Sequence, residues 1–278
     1  MSVKKIKPNH AGRRNISYLD NSDLSKKKPE KRLLKKLSKI SGRNSQGRIT
    51  IRHRGGGAKR KYRVIDFKRV DKLGIPGKIS DIEYDPNRTA NIALINYVDG
   101  DKRYVIAYEG AKPGDEILCK EKAPIKEGNR MLVKNIPAGF SVYNVEITKG
   151  KGGQIVRSAG SEAKIVSHEG KYSQIRLPSG EVRFIHKENY VTIGKVGNID
   201  HINVRIGKAG RVRHMGRRPQ VRGKAMNPCD HPHGGGEGGA PIGLKAPKTP
   251  WGAYALGVRT RSKKKTTSKW IAKSRRLK

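Results

Sequence analysis

The sequence predicts a mainly β protein in which two small antiparallel barrels lie between long basic, non-globular segments. Three observations predict this fold class. Short segments rich in Val, Ile and Tyr recur through the middle of the 278-residue chain, turn signals separate them, and positive charge is concentrated in the two flanks. Short strands joined by tight turns are typical of barrels, because closure leaves few strand edges exposed.

Five segments predict the first barrel. The Asp99-Gly100 pair between the third and the fourth segment is a strong hairpin signal. Gly- and Pro-containing turns separate the others. The predicted strands span residues 62–67, 78–84, 91–98, 103–108 and 116–119.

Six further segments predict a second barrel, and residues 120–130 form the junction. The two series are not close repeats of each other. The predicted strands span residues 142–147, 154–157, 163–167, 172–177, 182–186 and 190–193.

Outside the barrels, one short helix is predicted over residues 30–39, where Leu33, Leu34 and Leu37 share one face after Pro29. From about Gly207 onward, Gly, Pro and Arg dominate, so this part cannot bury a core and should run over the surface of a partner. We therefore predict four regions, listed here by residue number: a basic N-terminal extension (1–40), two barrel domains (41–122 and 123–200) and a basic C-terminal extension (201–278).

The charge distribution indicates the class of partner. The chain has 63 Lys and Arg against 23 Asp and Glu, a net charge of +40. Residues 1–70 hold 23 basic and 4 acidic residues, residues 205–278 hold 20 and 2, and the middle holds 20 and 17. Two such flanks predict a nucleic acid as partner. Only 15 residues are Phe, Tyr or Trp, which disfavours successive base-stacking platforms and favours a folded, phosphate-dense RNA.

Several other classes find little support. Cys119 and Cys229 lie far apart without a CxxC spacing, which argues against a disulfide framework or a zinc finger. No apolar signal core or membrane-length segment is present, so we expect no membrane partner. Residues 42–49 have the glycine spacing of a P-loop, but Arg48 and Ile49 replace the required Lys and Ser or Thr, so we reject nucleotide hydrolysis.

Two basic, glycine-punctuated stretches, residues 48–61 and 208–219, are the main candidates for RNA contact. Arginine forks hold two phosphate oxygens, and glycines allow backbone amides to approach a phosphate closely. Disordered basic linkers are the alternative interpretation. The predicted RNA-binding residues of these stretches and nearby positions are Arg48, Arg52, Arg54, Gly55, Gly56, Lys59, Arg60, Lys61, Arg88, Arg157, Lys208, Arg211, Arg213, Arg217, Arg218 and Arg222.

Residues 227–239 are the most distinctive segment, because two imidazoles (His231 and His233) precede a glycine run that includes Gly234, Gly235 and Gly236. We predict that a Pro-braced loop and a flexible glycine run contact RNA here. A metal site built from Cys229, His231, His233 and Glu237 is a rival interpretation, although no second ligand cluster accompanies it. General acid–base chemistry at His231 lacks a nucleophile or a paired carboxylate. We therefore predict no metal, no cofactor and no enzyme activity.

These residues are similar to the signatures of the universal large-subunit ribosomal protein L2 family, in its bacterial or organellar form. The resemblance extends from near the N-terminus into the tail. Cys229 departs from it, since a small apolar residue is usual there. The matching segments are Gly42-Arg43-Asn44, Gly47-Arg48-Ile49-Thr50, Arg54-Gly55-Gly56-Gly57, Glu83-Tyr84-Asp85-Pro86-Asn87-Arg88, Ala90-Asn91-Ile92-Ala93-Leu94, Gly150-Lys151-Gly152-Gly153-Gln154, Arg157-Ser158-Ala159-Gly160, Asn227-Pro228, the run from Asp230 to Gly238, and Thr249-Pro250-Trp251-Gly252.

The resemblance implies an OB-fold barrel followed by an SH3-like barrel, with extensions that penetrate RNA. It further implies a structural role in the large ribosomal subunit, with large-subunit ribosomal RNA, other ribosomal proteins and the small subunit as partners. A position near the peptidyl transferase centre is implied as well, with His231 as a residue implicated in peptidyl transfer while RNA forms the bond. Cytoplasmic ribosomes are the expected location, and an organellar ribosome stays open.

Two other function classes remain as alternatives. A DNA-compacting architectural protein would share the charge, but it should bind duplex DNA as tightly as ribosomal RNA. A metal-dependent hydrolase should retain stoichiometric metal and cleave a phosphoester. Co-sedimentation with large ribosomal subunits would discriminate against both.

Overall fold

A computed structural model describes residues 2–237, 241–262 and 264–275, and its regular structure is mainly β. Every segment predicted as a strand overlaps one of the observed strands, which confirms the fold class. In chain order the strands are β1 (Val3–Lys5), β2 (Ser17–Leu19), β3 (Leu34–Lys36), β4 (Lys61–Arg63), β5 (Gly77–Glu83), β6 (Ile92–Tyr97), β7 (Lys102–Ile106), β8 (Glu116–Ile117), β9 (Arg130–Leu132), β10 (Ser141–Tyr143), β11 (Val145–Glu146), β12 (Gly153–Ile155), β13 (Ala163–Glu169), β14 (Tyr172–Arg176), β15 (Val182–His186), β16 (Tyr190–Ile193) and β17 (Ile271–Lys273).

The chain divides into two compact units. The barrel unit comprises residues 1–38, 59–208 and 269–278, and the basic unit comprises residues 39–58 and 209–268. The basic unit therefore combines two segments that are far apart in the sequence. The domain boundaries expected from the sequence stay predictions.

The barrel unit contains two main antiparallel sheets. The first barrel is built on a four-stranded sheet in the order β7-β6-β5-β8. The register of β5 against β6 shifts between Ile79 and Asp81, a bulge that increases the curvature of the sheet. The second barrel is built on a seven-stranded sheet in the order β17-β15-β14-β13-β10-β16-β9. The remaining strands form the pairs β1-β2, β3-β4 and β11-β12.

One continuous apolar core connects the two barrels. Ile92 and Ile95 of the first barrel belong to the same buried cluster as Met131, Ile165 and Ile175 of the second. Each of these side chains is at most 1% exposed. Among the described residues, no apolar side chain of the basic unit is buried in this way. The barrels therefore supply the hydrophobic stabilisation of the chain.

Arg130 lies at the junction of the barrels and is fully buried. Its Nε–H donates to the carbonyl of Lys68 at 3.2 Å, and its Nη1 donates to the carbonyl of Asn144 at 2.9 Å. Burial, and then the charge of Arg69, lower the pKa of Arg130 to about 10, so it remains a cation at neutral pH. Because its two acceptors belong to different barrels, this guanidinium fixes one barrel against the other.

The helix predicted over residues 30–39 is wrong. A single 3₁₀ turn, Lys31–Leu33, is followed by β3, which pairs with β4 in the register Leu34↔Arg63. Leu33 packs against the barrel core. Strand pairing and core contacts, which depend on residues distant in sequence, override the local helix preference of the leucines.

The part of the chain from about Gly207 onward, which we expected to run over the surface of a partner, also contains regular structure. A six-residue helix, α1 (Ala209–His214), forms first. Further on, β17 pairs with β15, and Trp270 lies with its ring centroid 5.3 Å from that of Tyr172. No helix in the described part of the chain is both long and apolar enough to cross a membrane.

The buried carboxyl group of Glu83 leads to a pH-dependent prediction. Glu83 is 4% exposed and accepts a 2.9 Å hydrogen bond from the Tyr104 hydroxyl. Burial raises the pKa of Glu83 above its ordinary value of 4.5 despite that bond. A carboxyl group whose pKa is higher in the folded than in the unfolded protein stabilises the fold at a pH below the unfolded-state pKa. This contribution is lost as the pH rises through the folded-state pKa.

The free energy of unfolding of Glu83→Gln should therefore rise relative to wild type over that pH window, and then level off. The gain should be about 1.4 kcal/mol for each unit by which the pKa is raised. Urea denaturation across the window measures it, with the exposed Glu116→Gln as the control for removing one carboxylate. A constant difference between Glu83→Gln and wild type at all pH values would contradict this.

Candidate nucleic-acid interface

The first candidate surface lies on the barrel unit, where two predicted RNA-binding arginines flank one aromatic ring. The Arg157 guanidinium lies 4.5 Å from the ring centroid of Phe67, and that of Arg88 lies 5.9 Å from it. The Arg88 Nε also donates to Asp85 at 2.6 Å, and Asp85 is completely buried. We call Phe67, Arg88 and Arg157 the stacked arginine surface. The ring and the buried carboxylate orient the arginines while the exposed Arg157 faces solvent.

Strand β4 begins beside this surface. The Arg60 Nη1 donates to the Pro86 carbonyl at 2.8 Å, and the Asn87 amide donates to the Lys61 carbonyl at 2.7 Å. These bonds connect the turn that carries Arg88 to the strand that carries Lys61. Lys59 and Lys61 are exposed, as is Lys208 further along the chain. The structure thus brings Arg60, Lys61, Arg88 and Arg157 together.

The second candidate surface lies in the basic unit, where the two basic stretches pair with each other. Arg54 and Arg217 form an antiparallel bridge. The Gly55 N–H donates to the Gly216 carbonyl at 3.0 Å, and the Arg218 N–H donates to the His53 carbonyl at 3.1 Å. The sequence had indicated two separate stretches, and backbone hydrogen bonds join them into one surface.

Glycine makes this pairing possible. Gly57 has a φ of 90°, and a Cβ built on it would lie 3.0 Å from the backbone of Gly216. A side chain at this position would be strained in conformation and would push the two stretches apart. The close approach therefore depends on the absence of a side chain.

An open groove of about 570 Å³ follows the paired stretches. Its cationic walls are Arg43, Arg52, Arg54 and Arg218, and no carboxylate is among the described residues that line it. Arg43 is held by a 2.7 Å bond from its Nη1 to the Gly47 carbonyl. We call this feature the arginine groove. A groove lined by guanidinium groups without a nearby acid is suited to a phosphate backbone.

The remaining predicted arginines of the basic unit lie around these elements. Arg48 and Arg222 are exposed, and Arg211 and Arg213 are half-buried on α1. The Nη1 of Arg213 is a buried donor without a hydrogen-bond acceptor among the described residues. A buried guanidinium donor is costly to leave unsatisfied, so an external acceptor would stabilise it.

His231 is the buried centre of the loop that follows. It is 8% exposed, and a Cβ on Gly223 would lie 2.5 Å from its ring. The His231 Nδ1 lies 3.0 Å from the His233 N–H, and the His233 Nε2 lies 2.8 Å from the Lys248 N–H. The Nδ1 of His231 and the Nε2 of His233 each accept a hydrogen bond from a backbone N–H. The imidazoles hold backbone segments together.

The glycine run is more ordered than the sequence indicated. The Gly234 N–H donates to the His231 carbonyl at 2.8 Å, and the Gly235 N–H donates to the Met226 carbonyl at 3.0 Å. Gly235 and the exposed Gly236 have φ values of 96° and 72°. These bonds form a compact turn because glycine adopts positive φ without strain. Gly238 and Gly239 lie outside the described residues.

The arrangement of Cys229, His231, His233 and Glu237 bears on the rival interpretation of this segment as a metal site. Within residues 2–237, 241–262 and 264–275, no group of three or more His, Cys, Asp or Glu side chains is arranged to hold a metal ion. Cys229 is exposed. One ring nitrogen of His231 and one of His233 already accept backbone N–H groups.

Sequence reasoning missed three residues that the structure places at these surfaces: Arg43, Phe67 and Trp251. Arg43 is part of a quoted signature, and its flanking glycine was a usable signal. Phe67 gave no signal, because its contact with Arg157 depends on the approach of the two barrels. Trp251 lies in one of the matching segments, Thr249-Pro250-Trp251-Gly252, which did not indicate the exposure of its ring.

Gly234 provides a test of the loop. A Cβ at Gly234 would lie 2.3 Å from the Asn227 carbonyl oxygen, whereas one at Gly210 in α1 meets no atom within 4 Å. Gly234→Ala should destabilise the loop by about 1–3 kcal/mol through overpacking. Gly210→Ala should be neutral or stabilising by up to about 1 kcal/mol, because alanine favours a helix.

Hydrogen exchange of the Gly235 amide measures the effect, since its bond to Met226 reports loop closure. Faster exchange in Gly234→Ala but not in Gly210→Ala is expected. Equal protection in both variants would mean that the loop does not depend on the missing side chain.

The comparison with known families is consistent with both surfaces. Residues 30–119 match the RNA-binding N-terminal domain of ribosomal proteins L2, and residues 126–252 match the C-terminal domain of the same family. The two matches cover most of the chain. The first contains the strands of the first barrel, an OB-fold, and the second contains those of the SH3-like barrel up to β16 and continues to residue 252. The match explains the RNA-binding character of the first barrel and the structural role in the ribosome. This chain belongs to the ribosomal protein L2 family.

Proposed function

We propose that this protein is a structural constituent of the large ribosomal subunit that binds large-subunit ribosomal RNA through the arginine groove and the stacked arginine surface. The observation that carries the proposal is the pairing of residues 52–58 with residues 214–218. It assembles guanidinium groups from two distant stretches around one groove, and none of the described residues that line this groove is a carboxylate. Such a surface needs a dense polyanion to offset its own charge repulsion.

The two surfaces differ in the chemistry they offer. The arginine groove presents several guanidinium groups beside glycine backbone, which suits consecutive phosphates. The stacked arginine surface presents two arginines oriented by a ring and a buried carboxylate, which suits a single defined phosphate or base edge. RNA at the arginine groove would be held mainly by non-specific charge, and RNA at the stacked arginine surface would be held by geometry as well.

The histidine loop supports a role near the peptidyl transferase region that is architectural. His231 is buried and its Nδ1 already accepts a backbone hydrogen bond. Its position fixes the fold of residues 226–235. We propose that the loop and its flanking glycines shape ribosomal RNA there and support association with the small subunit, while the chain itself performs no catalysis.

The binding proposal is tested by salt-dependent affinity. Arg54→Gln and Arg218→Gln in the full chain should each reduce the slope of log affinity against log salt by about 0.7–0.9 for in vitro transcribed large-subunit rRNA. Lys78→Gln is the matched control, because Lys78 is exposed on β5 and lies 3.5 Å from Glu116. Its slope should stay that of wild type.

Competition separates this function from DNA compaction. Duplex DNA of equal phosphate concentration should displace the rRNA only weakly. Equal displacement by DNA, or slopes unchanged in both arginine variants, would argue against the proposal.

The architectural role of His231 is tested in assembled particles. Ribosomes of confirmed His231→Gln content should form in lower yield, because the Gly223 contact and the bond to His233 are disturbed. Single-turnover peptide transfer by correctly assembled particles should keep the wild-type pH profile. Loss of one titrating limb in the variant would instead identify His231 as a proton carrier.

A further inference from the structure

A short β-hairpin in the basic unit, residues 247–255, has a role that the phosphate-binding surfaces do not explain. The Thr249 N–H donates to the Ala253 carbonyl and the Ala255 N–H to the Pro247 carbonyl, both at 2.8 Å. Lys248 and Tyr254 form an antiparallel bridge between the two arms. The hairpin is therefore held by backbone hydrogen bonds along its length.

The tip of the hairpin is a tight turn with Trp251 at its centre. Pro250 fixes the backbone before Trp251, and Gly252 follows it with a φ of 81°. The Gly252 N–H donates to the Thr249 carbonyl at 2.9 Å. At the base, the Lys248 N–H donates to the His233 ring. The turn chemistry and this anchor hold the tip in one conformation.

Trp251 is exposed to an unusual degree for its residue type. It is 79% exposed at the tip of the hairpin. The other tryptophan, Trp270, is half-buried and packs against Tyr172. Trp251 contributes almost no core packing, although burial of such a ring would be strongly favourable. Because the hairpin already holds the indole ring in one position, less conformational entropy is lost when a partner binds to it.

The surroundings of Trp251 indicate the chemistry of that partner. The Arg52 guanidinium lies 5.9 Å from the centre of the indole ring, and Arg52 also lines the arginine groove. The basic unit has 18 Lys and Arg against two acidic residues, Asp230 and Glu237. A partner of this unit must be polyanionic and must also offer a flat apolar face. RNA with unpaired bases combines these two properties, because its phosphates are anionic and the faces of its bases are flat and apolar.

We infer that Trp251 is a stacking site for one unpaired nucleobase of RNA, and that Arg52 holds the adjoining phosphate. This inference rests on the proposed binding of ribosomal RNA and adds a contact of a different kind. The arginine groove binds RNA phosphates by charge, whereas the hairpin tip binds the face of a single base that is not paired within an RNA helix. Stacking on an aromatic ring is tolerant of base identity, so the site selects an unpaired base over a paired one.

Intrinsic fluorescence of the full chain tests the inference directly. Trp270→Phe leaves Trp251 as the sole tryptophan and keeps an aromatic ring against Tyr172. Titration of this protein with in vitro transcribed large-subunit rRNA should quench the emission of Trp251. Hydrogen exchange of the hairpin amides confirms that the substitutions tested next leave the fold intact.

Substitution then separates stacking from charge. Trp251→Ala should weaken rRNA binding by about 5- to 100-fold, and the salt slope should not change, because no charge is removed. Trp251→Phe should lose less than about 5-fold, because a π-face remains. Leu256→Ala, which removes an aliphatic side chain that is 73% exposed in the same unit, is the matched control and should bind as wild type.

The outcomes distinguish this inference from the proposed function. Unchanged emission with rRNA binding intact would overturn the stacking site and leave rRNA binding standing, as would equal losses in Trp251→Ala and Leu256→Ala. In that case the hairpin tip serves a protein partner or none. Failure of the parent protein to bind rRNA at all would overturn both.

Discussion

Among the described residues, apolar side chains are buried only in the barrel unit, and this constraint governs how the rest of the chain is stabilised. The buried cluster connects both barrels, whereas the described residues of the basic unit bury no apolar side chain. Backbone hydrogen bonds, such as that from Gly55 to Gly216, hold the basic unit together. Hydrogen bonds of this kind contribute only about 0.5–1.5 kcal/mol each. A polyanion that neutralises the cations of this unit would therefore add to its stability.

The junction of the two barrels connects stability to the stacked arginine surface. Arg130 bonds to the carbonyl of Lys68, the residue next to Phe67. Phe67 in turn contacts Arg88, from the first barrel, and Arg157, from the second. A shift between the barrels would move the two arginines relative to each other. The buried Arg130 therefore maintains the geometry of a surface that it does not contact. This role accompanies an unfavourable burial of its charge, which is also what lowers its pKa.

The sequence predicted the strands well because each has a local signature of β-branched and aromatic residues bounded by turns. It mispredicted residues 30–39 because the pairing of Leu34 with Arg63 is a tertiary effect. The candidate cations could be predicted from charge alone. Their arrangement could not, since the bridge between Arg54 and Arg217 joins residues that are far apart in the sequence. Similarly, the pattern of His231 and His233 suggested a ligand or RNA contact, and only the hydrogen bonds revealed their structural role.

The pairing of β3 with β4, and of β17 with β15, makes the two basic segments loops that are fixed at both ends. Residues 37–60 connect two strands that pair with each other, and the segment from 209 to 268 is followed by a strand that returns to the second barrel. Neither segment is a free tail, because both ends of each are tied to the barrel unit. The entropy lost on closing a loop grows only with the logarithm of its length. Folding of the barrels therefore already restricts the conformations of both segments, so less conformational entropy is lost when they bind RNA. In a chain cut between residue 262 and β17, the second segment would be fixed at one end only and would lose more entropy on binding.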